Sequence, residues 1–158
     1  MHLIDLENLV GGPSAPDTTI ERVWAAYHGG IPRSPMDQMI VGSSRFFARR
    51  TWWLLPEGIQ RRARDGQDGG ELAILEEIDL DHLVTRFRRL VIASGDGRFA
   101  ELAAAARRRG LHVHHVTGIG RPSHKLLTAA HSHARLRVGE HQRRPTGWPA
   151  PPRPVADA

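Results

Sequence analysis

Cysteine is absent from the 158 residues, and Lys125 is the only lysine. Without thiols the chain has neither a disulfide framework nor a zinc site built on cysteine. No apolar run approaches the roughly 20 residues that a membrane-spanning helix needs. The first residues form an acidic, strand-like pattern, unlike the basic and then apolar start of a signal peptide. We therefore predict a soluble cytoplasmic protein, of a length that suits one domain.

Basic residues outnumber acidic ones, with 22 Lys+Arg against 17 Asp+Glu and a formal net charge of +5. Nearly all of the cations are arginine, which binds phosphate in a bidentate manner and stacks on bases. The excess therefore favours a polyanionic partner. An arginine-rich coding bias with a solvated surface explains the same composition, so the charge alone does not decide.

Strand and helix patterns alternate along the chain. The clearest strand is the apolar run Arg89–Ala93, and the clearest helix is the alanine-rich segment 99–109, which Gly110 ends. We also predict strands over residues 2–6, 37–41 and 111–116, and helices from residue 17 or 18, over 46–55, from 71, over 81–87 and over 123–135. Residues 54–70 are predicted to be an irregular crossing that ends in a glycine-rich loop. This order predicts an α/β domain with a mostly parallel central sheet, covered on both faces by right-handed crossover helices.

The last part of the chain, residues 138–158, is rich in proline and polar residues and has no hydrophobic period. Such a composition is typical of a mobile tail. The predicted domain is therefore residues 1–137.

Acidic residues follow predicted strands or begin predicted helices at three places. Asp5 and Asn8 lie in a loop after the first strand. Asp68 and Glu71 lie at a helix start after a glycine-rich loop. Asp96 follows the most apolar strand and stands between two glycines. In an open parallel sheet, ligands bind outside the carboxyl ends of the strands. Carboxylates that meet there repel one another, and a hard divalent cation such as Mg²⁺ or Mn²⁺ neutralises them.

Each of these residues also has a purely structural interpretation. Asp5 and Asn8 suit a turn or a helix cap. Asp68 and Glu71 suit a helix start, where capping and the helix dipole favour acids. Asp96 is the hardest to explain in this way, because it directly follows a buried strand. The acids together predict a metal site more strongly than any one of them.

Three short motifs resemble those of a known family. The first strand ends in Asp5-Leu-Glu-Asn8, which is similar to an Asp-x-x-Asn motif. The segment Ser-Gly-Asp96-Gly-Arg-Phe is similar to a Ser-Gly-Asp-x-Asp-Phe signature. Asp68-Gly-Gly-Glu71 resembles an Asp-Gly-Ala-Asp helix start. These motifs, in this order, resemble those of the NYN family of PIN-like ribonucleases over roughly residues 1–137.

The resemblance implies a PIN-like, Rossmann-like three-layer α/β/α sandwich that hydrolyses RNA phosphodiester bonds with a divalent metal. It implies that Asp5, Glu71 and Asp96 hold Mg²⁺ or Mn²⁺, and that Asp68 supports the metal. Asn8 is then expected to orient a water, a ligand or a phosphate. PIN-like domains are often dimeric, so a homodimer is a further expectation.

Two positions depart from the family pattern. Arg98 stands where the family often has a second aspartate, and His131 stands where it often has an aspartate in the last helix. We expect Arg98 either to weaken metal binding or to hold the substrate phosphate. Ser94 is expected to bond a phosphate or to cap the following helix. The alternative function is therefore a catalytically impaired nucleic-acid-binding or regulatory module of the same fold.

Residues 45–64 interleave arginines with aromatic residues. We predict that Arg49 and Arg50 bind the substrate backbone beside the acidic pocket, where an aromatic ring would stack on an RNA base. The alternative is an amphipathic helix whose solvent-exposed face carries the arginines and whose buried face carries the aromatics. The pattern favours the buried face for the four aromatics, Phe46, Phe47, Trp52 and Trp53.

A third class with the same predicted fold is the phosphoacceptor receiver domain. A receiver pairs acids after its first strand and carries a lysine after a late strand. Here the only lysine, Lys125, falls within a predicted helix, and Asp96 comes late in the chain. Both features disfavour a receiver.

Overall fold

The computed structural model describes residues 1–66 and 68–139. In this part of the chain the strands are β1 His2–Asp5, β2 Met39–Ser44, β3 Gln60–Arg64, β4 Arg89–Ala93, β5 His112–Thr117 and β6 Ser132–Arg135. The helices are α1 Leu6–Val10, α2 Asp17–Gly30, α3 Arg45–Thr51, α4 Gly69–Leu75, α5 Leu80–Arg86, α6 Phe99–Arg108 and α7 His124–Ala129, with a 3₁₀ turn at Trp52–Leu54. The predicted tail lies outside the described residues except for residues 138 and 139.

The six strands form one sheet in the order β3-β2-β1-β4-β5-β6, and every neighbouring pair is parallel. The chain runs outward from β1 to β3 and then returns to β4, on the other side of β1. The strand order therefore reverses between β1 and β4, which is the place where ligands bind in open α/β sheets.

Helices cover both faces of the sheet, because both faces of the central strands are apolar. In β1, Leu3 and Ile4 are fully buried and belong to different core clusters. One cluster joins the sheet to α1, α2 and α3 around Trp24 and Phe47. The other joins it to α4, α5, α6 and α7 around Phe99. The predicted Rossmann-like three-layer α/β/α sandwich is confirmed.

Three local predictions are wrong, and the first two concern the loop after β1 and the crossing over residues 54–70. The expected loop after β1 is the short helix α1, which Asp5 caps by accepting a hydrogen bond from the Asn8 amide. The segment predicted as an irregular crossing contains β3, an edge strand of sequence QRRAR whose residues are exposed or half-buried. Because an edge strand pairs on one side only, charged residues are common there and hide the strand pattern.

The predicted helix over residues 123–135 is wrong in its second half. The helix α7 ends at Ala129, and Ala130 is already extended, with φ −83° and ψ 155°. The strand β6 then pairs with β5 at the other edge of the sheet, and its Ala134 packs against a core cluster. The prediction failed because β6 alternates small and polar residues without an apolar run.

The described residues include no helix that combines the length and the apolar character needed to cross a membrane.

We expect His2 to make the fold sensitive to acid. Its ring is 1% exposed, and its Nδ1 lies 2.7 Å from the Tyr27 hydroxyl. Burial lowers the pKa of His2 to about 4, although Asp37 opposes that shift. The unfolded chain, with an ordinary histidine pKa near 6.5, therefore binds the proton first as the pH falls. Between pH 6.5 and 4 this one histidine removes roughly 2–3 kcal/mol of stability.

Urea unfolding at pH 7 and pH 4.5 tests this expectation. The His2→Gln variant should lose less stability between the two pH values than the wild-type chain, and His124→Gln, at an exposed position, should lose as much as wild type. Equal losses in all three proteins would contradict the role of His2.

Candidate active site

A cleft of about 690 Å³ opens where β1 ends and α4 begins. It lies at the point where the strand order reverses. Asn8 and the four predicted metal-site acids line it, so the structure brings these five predicted residues together. Of the described residues that line the cleft, six are acidic and only Arg45 is basic. The acidic residues are Asp5, Glu7, Asp65, Asp68, Glu71 and Asp96.

Asp5 ends β1 at the base of the cleft and is 6% exposed. Its Oδ1 accepts a hydrogen bond from the Asn8 amide at 3.3 Å, and its Oδ2 accepts one from the Ser94 hydroxyl at 3.1 Å. Burial raises the pKa of Asp5 to about 6, and the two donors oppose that shift. A cation beside Asp5 would lower this pKa and favour the ionised carboxylate.

Ser94 and Asn8 fix the loop after β4 against the end of β1. The buried Ser94 hydroxyl donates to Asp5 and accepts from the Asp96 amide at 3.0 Å. The Asn8 Oδ1 accepts from the Gly95 amide at 2.5 Å. A Cβ on Gly95 would lie 2.4 Å from the Arg121 carbonyl oxygen, so a side chain does not fit there. Ser94, expected to bond a phosphate or to cap the following helix, uses its hydroxyl for these two bonds, and Arg98 is the residue that precedes α6.

Glu71 reaches the cleft because α4 lies unusually close to β2. A Cβ on Gly42 would lie 2.2 Å from the Gly70 carbonyl oxygen, and one on Gly70 would lie 3.3 Å from the Asp5 Oδ1. These glycines allow the first turn of α4 to sit directly on the sheet. Glu71 is consequently 3% exposed although its carboxyl group lines the cleft.

The Glu71 carboxyl group is held in an unfavourable environment. Burial, together with the neighbouring Asp96 carboxyl group, raises the pKa of Glu71 to about 8. Arg98 opposes the shift, with its Nε 2.6 Å from the Glu71 Oε1. Apart from this ion pair, the buried Oε1 has no hydrogen-bond partner among the described residues. An oxygen atom in this state favours a proton or a cation.

Arg98 links two of the acids from the rim of the cleft. Its Nη2 lies 2.5 Å from the Asp68 Oδ2, while its Nε contacts Glu71. Asp68 has φ 61° and is the only described non-glycine residue in the left-handed region. Its side chain does not cap α4, which it precedes. Backbone of this kind is costly and recurs at functional sites. The arginine thus supplies positive charge where the acids need it.

The oxygen-only donor set fits a hard divalent cation, with Asp5, Glu71 and Asp96 as the residues to hold it. In the described residues, however, no three His, Cys, Asp or Glu side chains are arranged to enclose a metal ion. In this structure the Arg98 guanidinium contacts Asp68 and Glu71. Binding of a metal therefore requires the guanidinium of Arg98 to move away from Glu71.

Several predicted residues lie elsewhere. Arg50 is used within the fold, since its guanidinium donates to the Pro13 and Ala15 carbonyl oxygens. Arg49 is exposed on α3 and does not line the cleft. His131 also lies outside the cleft, at the bend before β6, where its Nδ1 accepts from the Val113 amide. His131 is therefore not among the described residues that line the acidic cleft.

Lys125 is exposed on α7 and is not among the described residues that line the cleft. A receiver domain places its lysine beside its acids, so this position gives a receiver no support.

Sequence analysis missed several residues that line the cleft, among them Glu7 and Phe46. Glu7 joins α1 to the end of β2, because its Oε2 accepts from the Ser44 amide at 2.5 Å. Its place between Asp5 and Asn8 was the available signal. Phe46, which the pattern assigned to a buried face, is 73% exposed. The helical period alone did not separate it from the buried Phe47.

No family model matches the chain, and no curated protein matches it. The resemblance of its motifs to a ribonuclease family therefore stays a prediction.

Proposed function

We propose that this chain is a divalent-metal-dependent ribonuclease of the NYN, PIN-like type. The observation that carries the proposal is the convergence of Asp5, Glu71 and Asp96 in one cleft at the strand reversal. The three come from β1, from α4 and from the loop after β4. Carboxylates that face one another at low exposure cost free energy unless a cation joins them, and the Arg98 guanidinium contacts Asp68 and Glu71, whereas Asp5 has no ion pair among the described residues.

The roles of the residues follow from their contacts. Asp5, Glu71 and Asp96 would hold Mg²⁺ or Mn²⁺, and Asp68 would support them. When bound, the cation supplies a Lewis acid that activates water and stabilises the charge that develops at phosphorus. Ser94 positions Asp5 through its hydroxyl.

Arg98 and Asn8 have further roles in the proposed site. Arg98 is 51% exposed, so its guanidinium is free to turn from the acids to a substrate phosphate. Asn8 fixes the loop that carries Asp96, through the Gly95 amide.

A cleavage assay with labelled single-stranded RNA tests the proposal. We expect cleavage with Mn²⁺ or Mg²⁺ and none with EDTA. The Asp96→Asn variant should be inactive. Asp81→Asn should keep full activity, because Asp81 is an exposed residue of α5 whose carboxylate contacts Arg109. Cleavage that persists in Asp96→Asn would point to a contaminating nuclease and contradict the proposal.

A second candidate function is a nucleic-acid-binding or regulatory module with an impaired catalytic site. The observation that favours it is Arg98, which already neutralises Asp68 and Glu71. RNA that binds to the protein and stays intact with either metal would support this second candidate.

A further inference from the structure

Phe46 is an exposed aromatic ring at the mouth of the acidic cleft. It lies in the first turn of α3, lines the cleft and is 73% exposed. The neighbouring aromatics differ, since Phe47 is fully buried and the Trp53 indole donates to the Arg50 carbonyl oxygen at 2.7 Å. A phenylalanine this exposed contributes almost nothing to the core. Its position requires another explanation.

The face of α3 that carries Phe46 is basic. Arg45 and Arg49 are four residues apart and exposed, so they share one side of the helix. Arg49 makes no polar contact with any residue that the structure describes. Arg45 contacts Asp65 at 3.2 Å, but both side chains are more than half exposed, and such pairs exchange readily for other partners. The helix has no acidic residue of its own. The surface formed by Arg45, Phe46 and Arg49 therefore suits a polyanion with an aromatic group.

We propose that Phe46 stacks on an unpaired base of single-stranded RNA at the entrance of the cleft, while Arg45 and Arg49 contact the phosphate backbone. The substrate class rests on the proposed ribonuclease function. Stacking on an aromatic ring tolerates any base, because every base has a π-face. A base inside a duplex is already stacked and paired, and so it cannot reach the ring. Phe46 thus makes the site selective for single strands.

Fluorescence anisotropy with a labelled RNA strand tests the proposal. The full chain is titrated in EDTA and low salt, so that binding is measured apart from cleavage. Phe46→Leu keeps the apolar character without the ring, and it should weaken binding about tenfold. Phe46→Trp should bind at least as tightly as wild type. Met36→Leu is the matched control, since Met36 is 82% exposed and does not line the cleft, and its affinity should be unchanged.

The same variants are titrated with a blunt duplex of the same sequence. We expect weaker binding than for the single strand and equal affinities for all four proteins. Because Phe46 is exposed, its substitution should leave the unfolding curve unchanged. Equal single-strand affinities of Phe46→Leu and wild type would overturn the proposal. The exposed ring would then be assigned to a contact with another protein. A wild-type chain that does not bind single-stranded RNA would also overturn it.

The two proposals fail separately. RNA that stacks on Phe46 but is not cleaved with Mn²⁺ would refute the ribonuclease function alone. Metal-dependent cleavage with no effect of Phe46→Leu on affinity would refute the stacking role alone.

Discussion

The Glu71→Gln variant is expected to be more stable than the wild-type chain and to bind metal much more weakly. In EDTA at pH 7 its free energy of unfolding should be higher by roughly 2–4 kcal/mol. Its affinity for Mn²⁺ should fall by about 100-fold or more, because a neutral amide is a poor replacement for a carboxylate ligand.

The sign of the stability change follows from the raised pKa. Burial and Asp96 raise the pKa of Glu71 to about 8, so the folded chain keeps this proton while the unfolded chain releases it near pH 4.5. The contribution of Glu71 to the free energy of unfolding of the wild-type chain is therefore greatest below pH 4.5 and declines as the pH rises toward 8. Glutamine has no proton to lose, and the advantage of the variant should grow over the same range.

Urea unfolding in EDTA at pH 5 and at pH 7.5 measures this difference. Glu57→Gln, at an exposed loop position, serves as the control and should stay within about 0.5 kcal/mol of wild type at both pH values. A Glu71→Gln variant that is less stable than wild type at pH 7.5 would show that the Arg98 contact outweighs the cost of burial.

Arg98→Ala is expected to bind Mn²⁺ about tenfold more tightly than wild type, since the guanidinium no longer repels the metal or contacts the acids that would hold it. The Arg98 guanidinium contacts Glu71 at 2.6 Å and Asp68 at 2.5 Å, and a metal on Glu71 must displace it. The same variant should need a higher RNA concentration for half-maximal cleavage, because the displaced arginine is proposed to contact a phosphate.

Isothermal titration with Mn²⁺ measures the first effect, and cleavage kinetics measure the second. Arg98→Lys keeps the positive charge but cannot contact both acids in the same planar geometry. Its Mn²⁺ affinity should therefore lie between those of wild type and Arg98→Ala. Weaker Mn²⁺ binding by Arg98→Ala would mean that Arg98 organises the acids for the metal rather than competing with it.

The sequence predicted the parts of the fold that are apolar on both faces. The strand β4 reads as a continuous apolar run, and Leu3 and Ile4 mark the centre of β1, because helices cover both sides of the central sheet. The edge strands β3 and β6 could not be predicted from hydrophobicity. Gln60–Arg64 is polar and Ser132–Arg135 alternates without large apolar residues, so their extended state is set by pairing with β2 and β5. Long-range pairing of this kind leaves no local pattern.

The candidate site was predictable in composition but not in electrostatics. The positions of Asp5, Glu71 and Asp96 after strands and at a helix start predicted their convergence, because parallel strands end at one edge of the sheet. The ion pairs of Arg98 join residues 27 and 30 positions apart along the chain, and only the fold reveals them. The exposure of Phe46 likewise depends on how α3 lies on the sheet.

The central claim is that the carboxylates of Asp5, Glu71 and Asp96 together bind a divalent metal. Electron paramagnetic resonance of free Mn²⁺, titrated with wild-type protein and with Asp5→Asn at pH 7.5, tests it most directly. We predict that the wild-type chain removes Mn²⁺ from solution and that Asp5→Asn leaves it free. Equal loss of the free Mn²⁺ signal with both proteins, or no loss with either, would contradict the claim.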